Sequence, residues 1–235
     1  MKPTLRFKPL HDLLDILFPR HCCGCGSILT GEEHGICSNC LIHLPLTRYT
    51  QFDDNHTEQV LCEVERLVAA TSLLYFRFGS ISRNIVHSIK YCGNRQMAYY
   101  MGRMLGLELL RSGRFDCIDY LIPVPLHRKK ERKRGYNQSA LLCLGISDVM
   151  HIEVIKNNLI RTVNTESQTN KKRAERIENM RGVFTVKEPL QLQGKHVLLV
   201  DDVLTTGATV SACCKAMEKI DNIKISVATL AIAST

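Results

Sequence analysis

The stretch Val197-Leu-Leu-Val-Asp-Asp-Val-Leu-Thr-Thr-Gly-Ala-Thr209 constrains this 235-residue chain more than any other. Four apolar residues predict a buried strand, and the adjacent carboxylates Asp201 and Asp202 end it. Thr205, Thr206, Gly207, Ala208 and Thr209 then turn into a helix. Open α/β sheets bind ligands outside the carboxyl ends of their strands, which is where this turn falls. The pattern suits a phosphorylated sugar. Backbone N–H groups and threonine hydroxyls at a helix N-terminus hold a phosphate, assisted by the positive end of the helix dipole. Gly207 lets the backbone approach, since a Cβ there is expected to crowd the anion. Asp201 and Asp202 are placed to take the two vicinal ribose hydroxyls and to help hold a divalent cation.

Either half of the stretch alone would be ordinary, because Asp and Thr are common helix caps. An ATPase strand of four apolar residues and a carboxylate is excluded by the absence of any G-x-x-x-x-G-K-[ST]. No G-x-G-x-x-G follows a strand, so a dinucleotide fold has no support.

Length allows one α/β domain and a small module. A net charge of +8 calls for anionic partners, and a polyphosphate meets that demand as well as nucleic acid does. The apolar spacing within Leu10–Phe18 predicts a short helix, too short and too charged for a leader or a membrane span. A reducing, cytoplasmic setting is therefore expected, and the 11 cysteines become a question of metal rather than disulfides.

Five of those cysteines crowd into residues 22–40. Cys22 with Cys25, and Cys37 with Cys40, form two C-x-x-C pairs eleven residues apart, a spacing that closes four thiolates around one structural Zn²⁺. Cys23 competes with Cys22, though a Cys-Gly-Cys pair makes the poorer chelate; His21, His34 and His43 are reserve ligands. The expected organisation is an N-terminal helix and zinc ribbon over 1–47, a polar linker over 48–62 and an α/β domain over 63–235. Within the last, strands are expected at 67–78, 120–124, 153–160, 196–200 and 223–232. Helices are expected at 81–110 (broken near 91–94), 137–149 and 207–219.

Two basic segments flank the signature. Six of the seven residues Arg128–Arg134 are cationic, in a strand-to-helix turn where guanidinium groups can take phosphate bidentately. A longer polar segment, residues 161–179, is expected to close over a ligand.

The thirteen residues 197–209 resemble the phosphoribosyl-pyrophosphate (PRPP) signature of type I phosphoribosyltransferases. The cysteine pairs, the run from Val124 to Gln138, then Gln168, Arg176 and Asn179, and finally the signature are together similar to the ComF family. That resemblance implies a zinc ribbon on a phosphoribosyltransferase-like sheet and an association with DNA uptake in natural transformation. It implies PRPP contacts at Arg134, Gly135, Asn137, Gln138 and Gln168 besides the signature residues, and catalytic roles for Asp201, Asp202, Arg134 and Arg176. Tyr136 stands where phenylalanine is commoner, and Lys171 and Lys172 where apolar and small residues are usual. Two functions follow: a PRPP-binding protein of the uptake machinery, or a Mg²⁺-dependent transferase moving ribose 5-phosphate to a nitrogen acceptor. Single-stranded DNA is a candidate partner in the basic cleft. With aromatics at 6%, base stacking is not expected.

Overall fold

The strands β1 (Leu67–Phe76), β2 (Tyr120–Pro123), β3 (Glu153–Val154), β4 (Leu159–Arg161), β5 (Phe184–Val186), β6 (His196–Leu204) and β7 (Lys224–Ala233) make two sheets. In this computed structural model residues 19–31, 33–162 and 182–233 are described. The main sheet is parallel, in the order β1–β7–β6–β2–β3, while β4 and β5 pair antiparallel beside it. The signature strand β6 is therefore central. Its run Val197–Val200 is fully buried, as a strand covered on both faces requires. Leu198 and Val200 point into one core, Val197 and Leu199 into the other. Where a strand of 196–200 is expected, pairing with β7 continues through Asp201 to Leu204, so both carboxylates lie within the strand.

Seven helices are described: α1 (Ser38–Ile42), α2 (His56–Val60), α3 (Ile81–Tyr91), α4 (Arg95–Ser112), α5 (Arg128–Arg134), α6 (Gln138–Met150) and α7 (Ala208–Met217). Asn94 separates α3 from α4 by accepting from the N–H of Met97 at 3.0 Å, an N-cap. Helices α4 and α6 press backbone to backbone. A Cβ on Gly102 would stand 2.3 Å from the Leu142 carbonyl oxygen, and one on Gly145 2.2 Å from that of Tyr99. The basic run, expected as a turn, forms α5 instead. Arg, Lys and Glu are good helix formers, and the His127 side chain caps the start by accepting from Lys129 N–H.

The first core extends into the ribbon, where Cys22, Leu29, Ile36, Cys37, Cys40 and Leu44 join Leu74, Ile85 and Met97. The exit of the ribbon covers the β1 edge. Thr47 N–H donates to Leu73 and Tyr75 N–H donates to Pro45, which blunts a strand edge that could otherwise pair with another chain. Within residues 48–62 some polar groups turn inward while others, Asp53 among them, stay exposed. Asn55 is buried and donates to the Ala70 carbonyl at 2.9 Å, while Arg114 donates to the Phe52 carbonyl and to Glu58 at 2.7 and 2.8 Å. The stretch 153–160 splits between the two sheets. Among the described residues no helix is long and apolar enough to cross a membrane.

Candidate functional site

Asp201 and Asp202 lie near the carboxyl end of β6, half-buried, with Val203 and Leu204 between them and the Thr205–Gly207 turn. Asp201 Oδ1 accepts from the Ser139 hydroxyl at 3.0 Å and from its neighbour's N–H at 2.8 Å. Burial, with the Asp202 charge alongside, pushes the Asp201 carboxyl up to about 7. Asp202 Oδ1 instead takes Lys90 Nζ at 2.8 Å. All three contacts fall on Oδ1.

Helix α7 begins at Gly207, which holds φ +78 and provides no side-chain cap. Its first N–H groups thus face the turn that carries exposed Thr205, half-buried Thr206 and half-buried Thr209; Ala208 is buried. A Cβ on Gly207 would meet Val60 Cγ1 at 3.0 Å and the Val60 carbonyl at 3.3 Å. The crowding expected against an anion falls on α2 instead. The glycine is required by its left-handed backbone and by this packing.

Cations gather from three elements. Lys90 ends α3, Lys130 and Arg134 lie on α5, and Arg161 ends β4. Burial and the charges of Arg161, Arg134 and Lys90 lower Lys130; burial also lowers Arg161, against the pull of Asp201. His127 is lowered in the same way, by burial and by the surrounding positive charges. Like charges held this close favour a multiply charged anion. The Arg134 guanidinium also lies 5.5 Å from the centre of the exposed Tyr91 ring. Gly135 is held by Arg95, which donates to its carbonyl at 2.8 Å, while the Tyr136 hydroxyl donates to the Ile89 carbonyl.

Two of the expected contact residues sit at the start of α6. Asn137 caps α6 through Ser139 N–H and donates to the Val124 carbonyl at 3.0 Å, which uses both ends of its amide. Gln138 is fully buried, and neither amide atom has a partner among the described residues. Gln168, Arg176 and Asn179, with Lys171 and Lys172, lie outside the described residues. Lys90 and Ser139 were not expected. Neither sits in a local motif; only the tertiary fold brings Ser139 to Asp201 and Lys90 to Asp202.

The second site is the cysteine cluster. Sulfurs of Cys22, Cys25, Cys37 and Cys40 all lie within 4.8 Å of one another. Cys25 and Cys37 are 3.7 Å apart, close to the edge of about 3.8 Å that a tetrahedron with ~2.3 Å Zn–S bonds requires. Backbone N–H groups point at the sulfurs: Gly24 and Cys37 at Cys22, and Cys40 at Cys37, at 3.3, 3.2 and 3.4 Å. Hydrogen bonds from Ser27 hold Cys25 down at about 6, whereas burial pushes Cys40 up. The donor set and spacing fit a closed, structural zinc site. Cys23 turns away toward Ser88 and the core, which settles the choice in favour of Cys22. His21 bonds the Gly26 carbonyl and His43 that of Asn39, and neither joins the cluster.

Comparison with known proteins finds two matching domains. Residues 145–234 match the phosphoribosyl transferase domain, and residues 13–50 match the double zinc ribbon domain. The chain is similar, over part of its length, to several curated proteins. It is 34% identical over 130 residues to the DNA utilization protein YhgH of Escherichia coli O157:H7, covering 54% of this chain and 56% of that one. Competence protein F of Haemophilus influenzae is 33% identical over 111 residues (47% and 48%). Competence protein ComFC of Bacillus subtilis is 35% identical over 89 residues (38% and 34%). The chain thus spans about half the length, or less, of these relatives.

Proposed function

We propose that this chain binds Mg²⁺-PRPP where β6 turns into α7, and that it serves the handling of DNA in uptake by the cell, as a cytoplasmic protein. One observation carries the reading. Two carboxylates, a helix start without a side-chain cap and the cations of α3, α5 and β4 all meet at one carboxyl edge of the sheet. The two carboxylates suit the ribose hydroxyls, and the N–H groups of α7 suit the 5-phosphate. Arg134 and Lys130 suit the diphosphate. Hard carboxylate oxygens also suit Mg²⁺, which when bound offsets charge on the diphosphate. The DNA role is supported by the names of the relatives. Calorimetry of Mg²⁺-PRPP binding tests the site, since heat of binding absent from the intact protein would refute it.

The intact Asp201–Asp202 pair favours a second reading, active transfer of ribose 5-phosphate to a nitrogen nucleophile. No protein nucleophile is needed for such a step. Positioning of C1, and fixed charges facing an oxocarbenium-like centre and the departing diphosphate, would lower the barrier. Pyrophosphate release across a panel of nucleobases selects this reading; binding without release selects the first.

A further inference from the structure

We infer that Lys90 is an exchange residue of this site: it holds Asp202 while the site is empty and gives it up, turning to the diphosphate, when a metal-bound substrate enters. The inference rests on the PRPP reading for its second half only. Its first half, competition between an ammonium group and a divalent cation for one carboxylate, concerns the ligand-free protein.

The geometry carries the first half. Lys90 Nζ lies 2.8 Å from Asp202 Oδ1, with only 21% and 13% of the two side chains exposed. At that distance and burial, a cation on Asp202 and a charged Lys90 oppose each other directly. A lysine ammonium is a point charge on a four-carbon stem, able to leave one partner for another without backbone motion.

The second half follows from what holds α3. Ser80 caps the helix, and Ile85 and Ile89 are buried beneath it. At one end Asn84 donates to the Gly24 carbonyl at 2.7 Å, and at the other the Tyr136 hydroxyl donates to the Ile89 carbonyl. The residue before Lys90 is thereby bonded to the turn that follows Arg134. The backbone is fixed between the carboxylates of β6 and the cations of α5, and only the Lys90 side chain has to swing. Its destination is the α5 side, to which the Tyr136–Ile89 hydrogen bond joins the end of α3. The last turn of a helix suits a cation in either position.

The test compares wild type with Lys90→Gln and Lys90→Arg, each checked for an unchanged melting profile. Binding of Mn²⁺ alone, followed by its paramagnetic resonance signal, should tighten on the order of tenfold in Lys90→Gln and stay near wild type in Lys90→Arg. Binding of Mg²⁺-PRPP should weaken by a similar factor in Lys90→Gln and recover in part in Lys90→Arg. Mn²⁺ affinity equal in wild type and Lys90→Gln overturns the inference and leaves the PRPP reading standing. Failure of the wild type to bind PRPP overturns that reading and the second half with it, while the Mn²⁺ comparison still decides the first. Should Lys90→Gln melt early, Lys90→Arg and Lys90→Met carry the same comparison.

Discussion

Asn84 donates a hydrogen bond to the carbonyl of Gly24, 2.7 Å away, and so joins the helix of Lys90 to the zinc knuckle. The two halves of the chain share more than this bond. Ile81 packs against Gly24, Met97 against Gly35, and the cysteines sit in the same core as Leu74 and Ile85. A ribbon built this way has too little apolar interior to stand alone, and its metal steadies the wall on which α3 rests.

Zinc removal should therefore reach the whole chain. Cys37→Ser is expected to lose metal, measured as zinc per chain by elemental analysis. It should also lower the melting temperature of the main transition, not only of a separate ribbon transition. A protein purified without chelator that carries no zinc would sink the assignment. Asn84→Ala, which leaves the four thiols intact, should cost about 1 kcal/mol in chemical denaturation while zinc content stays at one per chain.

The carboxylate pair makes a sharper prediction. Replacing Asp201 and Asp202 together by asparagine removes charge-assisted hydrogen bonds to ribose hydroxyls, each worth roughly 1.5–3 kcal/mol. Calorimetry should record PRPP affinity reduced by at least about a hundredfold. Equal affinity in wild type and double variant would place the ligand elsewhere.

Some of this was legible in the chain and some was not, for identifiable reasons. Residues 197–209 and the cysteine pairs were readable because strand, turn, helix start and ligand donors are contiguous, so that local chemistry and tertiary site coincide. Within residues 48–62, Asn55 and Glu58 look solvated in the sequence. Their amide and carboxylate in fact satisfy Ala70, Phe52 and Arg114 inside the fold. The basic run was read as a turn because a charge pattern does not distinguish a short exposed helix from a loop. Lys90 was invisible because its partner lies 112 residues away, across a contact that only the docking of α3 creates.

Asp201 gives the ligand-free protein a pH dependence. Burial and the Asp202 charge raise its carboxyl to about 7, whereas an unfolded aspartate titrates near about 3.9. Between those values the folded chain keeps a proton that the unfolded chain has released. The resulting stability is present at the acid end and is lost as pH rises through the window. Asp201→Asn keeps the shape without the titration. It should flatten the decline in melting temperature from about pH 5 to about pH 7 and make the variant the more stable form at neutral pH. An unchanged slope in Asp201→Asn would assign the effect to other groups.

At Gly207 the predicted damage is to the fold first. Its φ of +78 lies in the left-handed region, and an added Cβ would stand 3.0 Å from Val60 Cγ1 and 3.3 Å from the Val60 carbonyl. Gly207→Ala should cost about 1–2 kcal/mol from the backbone alone, and more if α2 has to retreat. Val60→Ala relieves only the side-chain part. The double variant should therefore recover some stability in denaturant titrations, and additive losses would rule out the contact.

Arg134 links the polyphosphate and the nucleic acid readings. It ends α5 beside Lys130 and close to Tyr91, on the side of the site where the diphosphate is proposed to lie. Charge reversal, Arg134→Glu, should reduce PRPP binding steeply, because a bidentate phosphate contact becomes a repulsion. Affinity for single-stranded DNA should fall too. Its salt dependence should report several diffuse phosphate contacts, with a slope that shrinks by about one contact or slightly more in the variant. The two ligands are then set against each other. If DNA and PRPP occupy the same cleft, saturating PRPP should release a labelled oligonucleotide, seen as a drop in fluorescence anisotropy. Undiminished DNA binding at saturating PRPP excludes a shared cleft and moves the nucleic acid surface to the ribbon or to a partner protein.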